Sequence, residues 1–520
     1  MVTTQQAEET NRAVAGGPPN IVEGEIRNTE PATGKPLPPL RVHTPDEVRG
    51  VVARARAAQA KWARLSWKER EKKLLAFRAL LVDRTEEIVA LLMQESGKPR
   101  FEALTHEVFP IADLTGFFAR RARKILRDEA VRLHLFGPLK RSYLRYEPRG
   151  VIGVISPWNY PFSIPMGDVI MALAARNAVV VKPSEWTPRI LLKAKELVEA
   201  VGIDPDLFGV VLGGGETGAA LVDAGIDMMI FTGSVATGRK VGAACGERLL
   251  PFVAELGGKD PAIVLADADV DAAARQVVWG AFANSGQICA SVERALVHES
   301  VYEPFVARVV ELARSLRQGD PAQAGAEHVD VGAMVVPGQL EIVRSHVEEA
   351  QARGARVLVG GKARIDRGAR FFEPTVLVDV TPDMRIWREE TFGPCLPIRR
   401  FRDEEDAVAE ANDSPFGLSA YVFSRDAKRA ERIANRLQAG TVMINDVIYT
   451  HALPETPWGG VKQSGIGRVH GLQGLKDLCE IRHVNAPRVA LLPLWMYPYR
   501  EKTFGLFTTA MRKLFKGPFG

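Results

Sequence analysis

The sequence predicts an α/β protein built on a doubly wound parallel sheet (Rossmann-like), joined to a second α/β region and a small β segment. Three observations carry this expectation. From residue 150 onward, short runs of branched apolar residues alternate with helical segments; the runs end in small or polar residues; and 520 residues exceed what one core accommodates. The runs are VIGVIS, AVVVKPS, GVVLGG, DMMIFTGS and PAIVLAD, the near-continuous Val/Ile pattern of strands buried on both faces.

Taking the chain in order, residues 1–20 are polar, small and punctuated by Gly and Pro, and are expected to form a disordered arm, with the fold starting near Ile21. Thr44-Pro45-Asp46-Glu47 and Ser66-Trp67-Lys68-Glu69 are capping boxes, so helices are expected over 45–64 and from 67 onward, opening a helical layer. The parallel-strand region follows. After it, RALVHE, ARVLVG, PTVLVDV, CLPIRRF and SAYVFS mark a second α/β region over 285–445, from which the chain is expected to return to the first domain.

Composition excludes several classes. Hydrophobic content of 46% and charged content of 25% are those of an ordinary globular protein, and a net charge of +5 with interleaved signs gives no nucleic-acid footprint. Four cysteines, Cys245, Cys289, Cys395 and Cys479, stand far apart with no CxxC pair, so neither a disulfide framework nor a metal site is expected. The N-terminal stretch lacks the basic start and apolar run of a secretory signal, and no stretch approaches the roughly 20 apolar residues of a membrane span, which points to a cytoplasmic protein.

Ligands of doubly wound sheets sit at the carboxyl ends of strands, here SPWN, KPSE, GGGETG and FTGS. GGGETG matches GxGxxG, but alone it is as much a structural turn as a phosphate site. Cys289 has a more telling setting. In NSGQICA, residues 284–290, it follows a polar turn rather than branched neighbours, a setting that can bring a sulfur to the floor of a cleft, although on these seven residues alone a packed thiol is the favoured reading.

PWNYP (157–161), KPSEWTP (182–188), FTGS (231–234), ELGGKDP (255–261), GQIC (286–289) and EETFGP (389–394) occur in this order in one chain. With RNTEPATGKPL before them, this series closely resembles the NAD(P)-dependent aldehyde dehydrogenase superfamily, from about Asn28 to about Gly474. The resemblance implies an aldehyde oxidation. Cys289 is the implied nucleophile, giving a thiohemiacetal that can lose hydride and then a thioester; Asn159 and the Cys289 N–H are the implied oxyanion donors. Glu255 is the implied base for hydrolysing the thioester.

The resemblance also implies a cofactor site. Lys182 and Glu185 correspond to the pair at the adenine ribose, and because Glu185 would repel a 2′-phosphate, NAD is expected over NADP. Ser234 stands at a helix start, suited to pyrophosphate. Glu390 and Phe392 correspond to contacts of the nicotinamide ribose and ring, and Ile155, Ser156, Trp158, Ser184, Gly215, Thr232, Gly233 and Leu256 complete the expected contacts. On this reading 21–139 and 151–284 form the NAD-binding domain, 285–445 the catalytic domain, 446–474 the return, and 140–150 with 475–487 the oligomerisation segment of a homodimer or homotetramer.

Some features depart from the family. Val469 follows SGIGR where many members carry Glu, and INDVIYTH resembles the fatty and aromatic aldehyde branch. Asp446 and His451 are expected to be structural, as are Cys245, Cys395 and Cys479, with Cys395 the nearest of these to the cleft. Residues 488–520 extend past the family core. A helix from about Glu501 would carry Phe504, Phe507, Met511, Leu514 and Phe515 on one stripe and Lys502, Arg512, Lys513 and Lys516 beside it, with Trp495, Tyr497 and Tyr499 before it. It reads equally as peripheral membrane contact or as packing on a subunit or substrate entrance, and either suits medium or long aliphatic aldehydes. The competing functions are coenzyme A acylation, which Glu255 disfavours, and a silent membrane-docking scaffold, which the retained Cys289, Glu255 and Asn159 disfavour.

Overall fold

Thr44 accepts a hydrogen bond from the N–H of Glu47, while the Glu47 carboxylate accepts the N–H of Thr44; Ser66 and Glu69 repeat the arrangement. These caps open helices Pro45–Trp62 and Trp67–Asp83. The first buries Val48, Val52, Ala55 and Trp62, and the indole N–H of Trp62 donates to Leu173 O at 2.9 Å. A full-length buried Val or Leu side chain contributes roughly 1.5–3 kcal/mol, enough to hold an amphipathic helix on its sheet. This computed structural model describes residues 19–134, 139–323, 328–364, 370–488 and 496–516; the arm expected over 1–20 lies almost wholly outside them.

The chain divides into two units. The larger comprises Met1–Ile125 and Pro148–Cys479, the smaller Leu126–Glu147 and Glu480–Gly520. In the larger unit, five parallel strands run in the order Phe252–Glu255, Met228–Thr232, Val151–Ile155, Ala178–Lys182 and Phe208–Val210, with Gly465–Ile466 added antiparallel beside Phe252–Glu255. Val151–Ile155 comes first in the chain yet lies in the middle, so the crossovers reverse there. That reversal opens a crevice at the carboxyl ends of the strands.

A seven-stranded sheet forms the other half of this unit, in the order Arg356–Val359, Thr375–Val378, Cys395–Phe401, Val292–His298, Asp260–Val264, Ser419–Phe423 and Thr441–Ile444. Asp260–Val264 corrects the sequence reading, which grouped PAIVLAD with the first sheet and drew the boundary at 284. This strand pairs in parallel with Val292–His298 and Ser419–Phe423. The chain therefore changes sheets between Glu255 and Asp260. An apolar run announces a buried strand but not the sheet that it joins.

In the smaller unit, Lys140–Pro148 is the central strand between Glu129–Ala130 and Cys479–Pro487. Ser142 Oγ and His483 Nε2 meet at 2.7 Å across it. Helix Glu501–Lys516 follows, with none of its residues buried; Trp495 lies outside the described residues. No described helix is long and apolar enough to cross a membrane.

Candidate active site

The NSGQICA segment follows helix Val270–Phe282, and its backbone is strained. Asn284, Ser285 and Gly286 take φ of 50°, 57° and 71° in succession. A left-handed conformation costs a non-glycine residue about 1–2 kcal/mol, so two in a row persist only where the surroundings determine them. Here they do. The Glu102 carboxylate accepts the Asn284 N–H at 3.0 Å, Ser285 Oγ donates to Gly332 O at 3.0 Å, and Gln287 Oε1 accepts the Val335 N–H at 2.9 Å. A Cβ on Gly286 would stand 2.1 Å from the carbonyl oxygen of Gly393, so only glycine fits against the FGP turn. The turn presents Cys289 half-buried between two cavities.

Asn159 reaches the same loop, its Nδ2 donating to Gln287 O at 2.9 Å. Its own carbonyl accepts from Lys98 Nζ at 3.0 Å and from Asn284 Nδ2 at 3.1 Å. Lys98 is fully buried and ion-paired with Glu107, whose carboxylate also accepts the N–H groups of Phe162 and Ser163. Lys98, Glu102 and Glu107 thus fix the PWNYP turn and the cysteine loop from the helical layer. Sequence reasoning missed all three, because charged residues on helices resemble solvated ones until their burial is known.

Glu255 ends its strand 5% exposed, and neither carboxylate oxygen has a hydrogen-bond partner among the described residues. Burial pushes its carboxyl well up, the nearby Asp168 adds to this, and Arg468 opposes it. The ELGG glycines make room. A Cβ on Gly258 would meet Cys289 O at 2.4 Å, and one on Gly257 the Glu390 carboxylate at 2.3 Å. Glu390 accepts the Gly258 N–H at 2.9 Å and is pushed up to about 8, chiefly by burial and then by Glu293. The Cys289 thiol is raised too, by enclosure in the cavity and by Asp260, Glu255 and Glu390, while the Ala290 N–H favours the thiolate. In all three groups enclosure away from water is the largest cause of the shift.

Most of the residues expected to hold the cofactor lie at or just after the carboxyl ends of strands of the first sheet. Lys182 Nζ donates to Gly213 O at 2.9 Å and stands 3.4 Å from Glu185 Oε2, whose backbone carbonyl is braced by Asn20 and Asn28. Ser156 Oγ is buried without a partner among the described residues, and a Cβ on Gly215, at the start of helix Gly215–Asp223, would meet open space. Ser184 Oγ accepts the Trp186 N–H, and Ser234 caps helix Val235–Glu247 by accepting the Thr237 N–H. Ile155 ends the central strand. Gly233 lies against the Phe231 ring, Leu256 packs over Gly238, and Thr232 lines a cavity with Glu255. Trp158 and Phe392 meet edge-to-face at 5.3 Å; the Phe392 and Thr391 N–H groups are held by Glu293, itself paired with Lys259 at 2.6 Å. An orphaned hydroxyl, an open helix start and a lysine–carboxylate pair fit a dinucleotide.

Two cavities meet at Cys289. One is lined by Tyr160, Trp279, Ile288, Ile448, Tyr449 and Trp458 among others. Among the described residues it holds no Lys, Arg, Asp or Glu, and burial pushes its His106 down to about 4 and its His451 well down, so both imidazoles are neutral. The other, smaller one is lined by Glu255, Asp168, His451 and His470 among others. His451, expected to be a structural group, faces both cavities, its ring tilted against that of His470 at 4.7 Å between centroids. Cys395 does not line either; it lies in the core of the seven-stranded sheet.

Residues 21–484 match the model of the aldehyde dehydrogenase family. A Methylomonas 4,4′-diapolycopene aldehyde oxidase is 39% identical over 486 residues, spanning 93% of this chain and 90% of that protein. A Mycobacterium ulcerans protein, provisionally named an NADP(+) succinate-semialdehyde dehydrogenase, is 38% identical over 458 residues, 88% of each. The solved Mycobacterium tuberculosis aldehyde dehydrogenase in complex with NAD+ is 33% identical with a TM-score of 0.85, covering 91% of this chain and 96% of that one. With sequence and fold agreeing over nearly the whole length, this chain belongs to the aldehyde dehydrogenase family and is an NAD(P)-dependent enzyme of aldehyde oxidation.

Proposed function

We propose that the chain oxidises apolar aldehydes, of medium or long aliphatic or aromatic kind, to carboxylic acids, with NAD favoured over NADP. The observation that carries this reading is the position of Cys289, between a charge-free aromatic cavity and a carboxyl-lined one. The aldehyde lies in the first with its carbonyl at the sulfur. Cys289 adds to the carbonyl carbon, and Asn159 Nδ2 with the Cys289 N–H stabilises the oxyanion; loss of one such donor costs about 2.7–4 kcal/mol of transition-state stabilisation. The dinucleotide, when bound, supplies the hydride acceptor. Glu255 then takes a proton from the water that attacks the thioester, its burial making it a stronger base than a solvated carboxylate.

On this reading the six-stranded sheet is the cofactor-binding part and the seven-stranded sheet the catalytic part. Lys182 and Glu185 hold the adenine ribose, with Ser156, Gly215 and Ser234 toward the pyrophosphate and Glu390 and Phe392 at the nicotinamide end. A succinic semialdehyde carboxylate would find no cationic partner among the described residues of the larger cavity, which sets the substrate reading apart from the name of the Mycobacterium ulcerans relative. The smaller unit's sheet suits pairing between subunits. The exposed apolar stripe of helix Glu501–Lys516, with Lys502, Arg512, Lys513 and Lys516 on the opposite arc, supports peripheral contact of a cytoplasmic enzyme with an anionic membrane.

The test is a series of acetaldehyde, octanal, hexadecanal, benzaldehyde and succinic semialdehyde, read as NADH formation with Cys289→Ala as blank. The expected order of kcat/KM puts octanal, hexadecanal or benzaldehyde well above the other two. A preference for succinic semialdehyde or acetaldehyde overturns the substrate reading, and activity surviving in the blank overturns the nucleophile. Pelleting with phosphatidylserine vesicles, lost on truncation after residue 488, tests the tail.

A further inference from the structure

The helix that runs past the larger cavity is turned inside out at its start. Arg100–Glu102 leads through a π-helical turn, Ala103–Val108, into Phe109–Ile125. Over residues 101–110 the two acids, Glu102 and Glu107, are buried, whereas Phe101 and Phe109 stand 73% and 68% exposed, with Leu104 exposed between them. The acids are accounted for by the N–H groups of Asn284, Phe162 and Ser163 that they hold. The phenylalanines are not. Two phenyl rings and a leucine left in water on so short a run mark a surface that something apolar covers.

The π turn explains why they act together. The Phe109 N–H donates to Leu104 O, closing a wider ring than the α-helical one, so residues four apart fall closer to one line than the 3.6-residue period would leave them. That line is Phe101, Thr105 and Phe109, and the Thr105 hydroxyl donates to Phe101 O at 2.8 Å. Thr105, His106 and Pro110 line the larger cavity. Trp279 and Tyr449 line it too and yet are 40% and 43% exposed, so they mark its mouth; the Trp279 ring meets His106 edge-on at 6.0 Å. The cavity therefore opens beside this helix, and Phe101, Leu104 and Phe109 continue its apolar wall outward.

We propose that Phe101, Leu104 and Phe109 form an outer subsite that carries the distal methylenes of aldehydes too long for the cavity. This rests on the reading of the larger cavity as the aldehyde site. With its carbonyl at Cys289, a chain that outgrows the cavity leaves past Trp279 and Tyr449 and lies along Phe101, Thr105 and Phe109. The occupant is a hydrocarbon chain because no exposed side chain of residues 101–110 carries charge, so this surface offers a partner only dehydration and close packing. It is the substrate's own chain because the surface is continuous with a cavity that ends at the nucleophile. A methylene fully removed from water is worth about fourfold in kcat/KM, and one half covered on an open wall about twofold. Three or four half-covered methylenes therefore give about tenfold.

The test compares kcat/KM for benzaldehyde, octanal, dodecanal and hexadecanal in the full-length enzyme with those of two double variants, Phe101→Gln with Phe109→Gln and Phe101→Leu with Phe109→Leu. Both rings are exposed, and glutamine and leucine are good helix formers, so the substitutions cost the fold little. In the parent, kcat/KM is expected to rise from octanal to hexadecanal. The glutamine pair is expected to lower the ratio of hexadecanal to benzaldehyde at least about tenfold, mainly through KM, and the leucine pair to keep most of it. The proposal is overturned if the parent gains nothing from octanal to hexadecanal, if the glutamine pair keeps the parent ratio, if hexadecanal and benzaldehyde fall together, or if the leucine pair behaves like the glutamine pair. Pelleting with phosphatidylserine vesicles that the glutamine pair loses while its ratio holds assigns the surface to a membrane and likewise overturns it. A parent enzyme that prefers acetaldehyde or succinic semialdehyde to all four removes the cavity reading itself, and the outer subsite with it.

Discussion

Gly286→Ala tests whether the strained loop is what holds the sulfur in place. The added methyl must adopt φ of 71°, which costs about 1–2 kcal/mol, and its Cβ would lie 2.1 Å from Gly393 O, more than 1 Å inside contact distance. Gly393 cannot easily retreat. Its neighbours Thr391 and Phe392 are bonded to Glu293, and Pro394 O accepts the Thr375 N–H at 2.8 Å. Overpacking of this kind adds about 1–3 kcal/mol, for a total of roughly 2–5 kcal/mol. If the loop yields instead, a shift near 1 Å at Cys289 costs about 100-fold in kcat/KM. Thermal melting and kcat/KM are measured beside Gly246→Ala, a helical glycine whose Cβ would meet nothing, which is expected to gain up to about 1 kcal/mol. A Gly286→Ala enzyme with both the melting temperature and kcat/KM of the parent would refute the reasoning.

Lys98→Met leaves the buried Glu107 carboxylate uncompensated and is expected to cost about 3–5 kcal/mol, seen as a lower unfolding midpoint in urea. Burial lowers His106 from 6.5 to about 4, so the unfolded chain binds its proton first on acidification and stability is lost as pH falls from 6.5 toward 4. At pH 5 that loss is about 2 kcal/mol; His106→Phe should show a correspondingly smaller drop in unfolding free energy between pH 7.5 and pH 5, and an unchanged drop would contradict the assignment. Glu185→Ser removes the charge facing a 2′-phosphate and is expected to raise kcat/KM for NADP about tenfold while lowering it for NAD, read from paired cofactor titrations.

What the sequence reveals depends on how local each signal is. The capping boxes at Thr44 and Ser66 are complete within four residues, and both helices begin where those residues say. The Val/Ile runs announce strands because burial on both faces leaves no polar position. PAIVLAD was misplaced because its partners, Val292–His298 and Ser419–Phe423, lie far along the chain. Cys289, Asn159 and Glu255 could be picked out because each sits in a short motif, and the glycines beside them proved to be demanded by close contacts. Lys98, Glu102 and Glu107 carried no comparable mark. Asp168 did carry one, an acid alone in MGDVIMALA, which only its burial makes informative. The place of His451 beside both cavities was not legible in INDVIYTH, because Trp458 and His470, which pack against it, come later in the chain.

The passage from Glu255 to Asp260 ties a strand one place in from the edge of one sheet to an inner strand of the other through Leu256, Gly257, Gly258 and Lys259. The acid belongs to the first layer and the sulfur to the second, so any sliding of one layer over the other changes their spacing directly. Gly257 and Gly258 are clamped by Glu390 and by the Cys289 backbone, and Lys259 by Glu293, which leaves this bridge little freedom to stretch. The four-residue tether thereby acts as a ruler, and drift in either layer is tolerated so long as the ruler keeps its length.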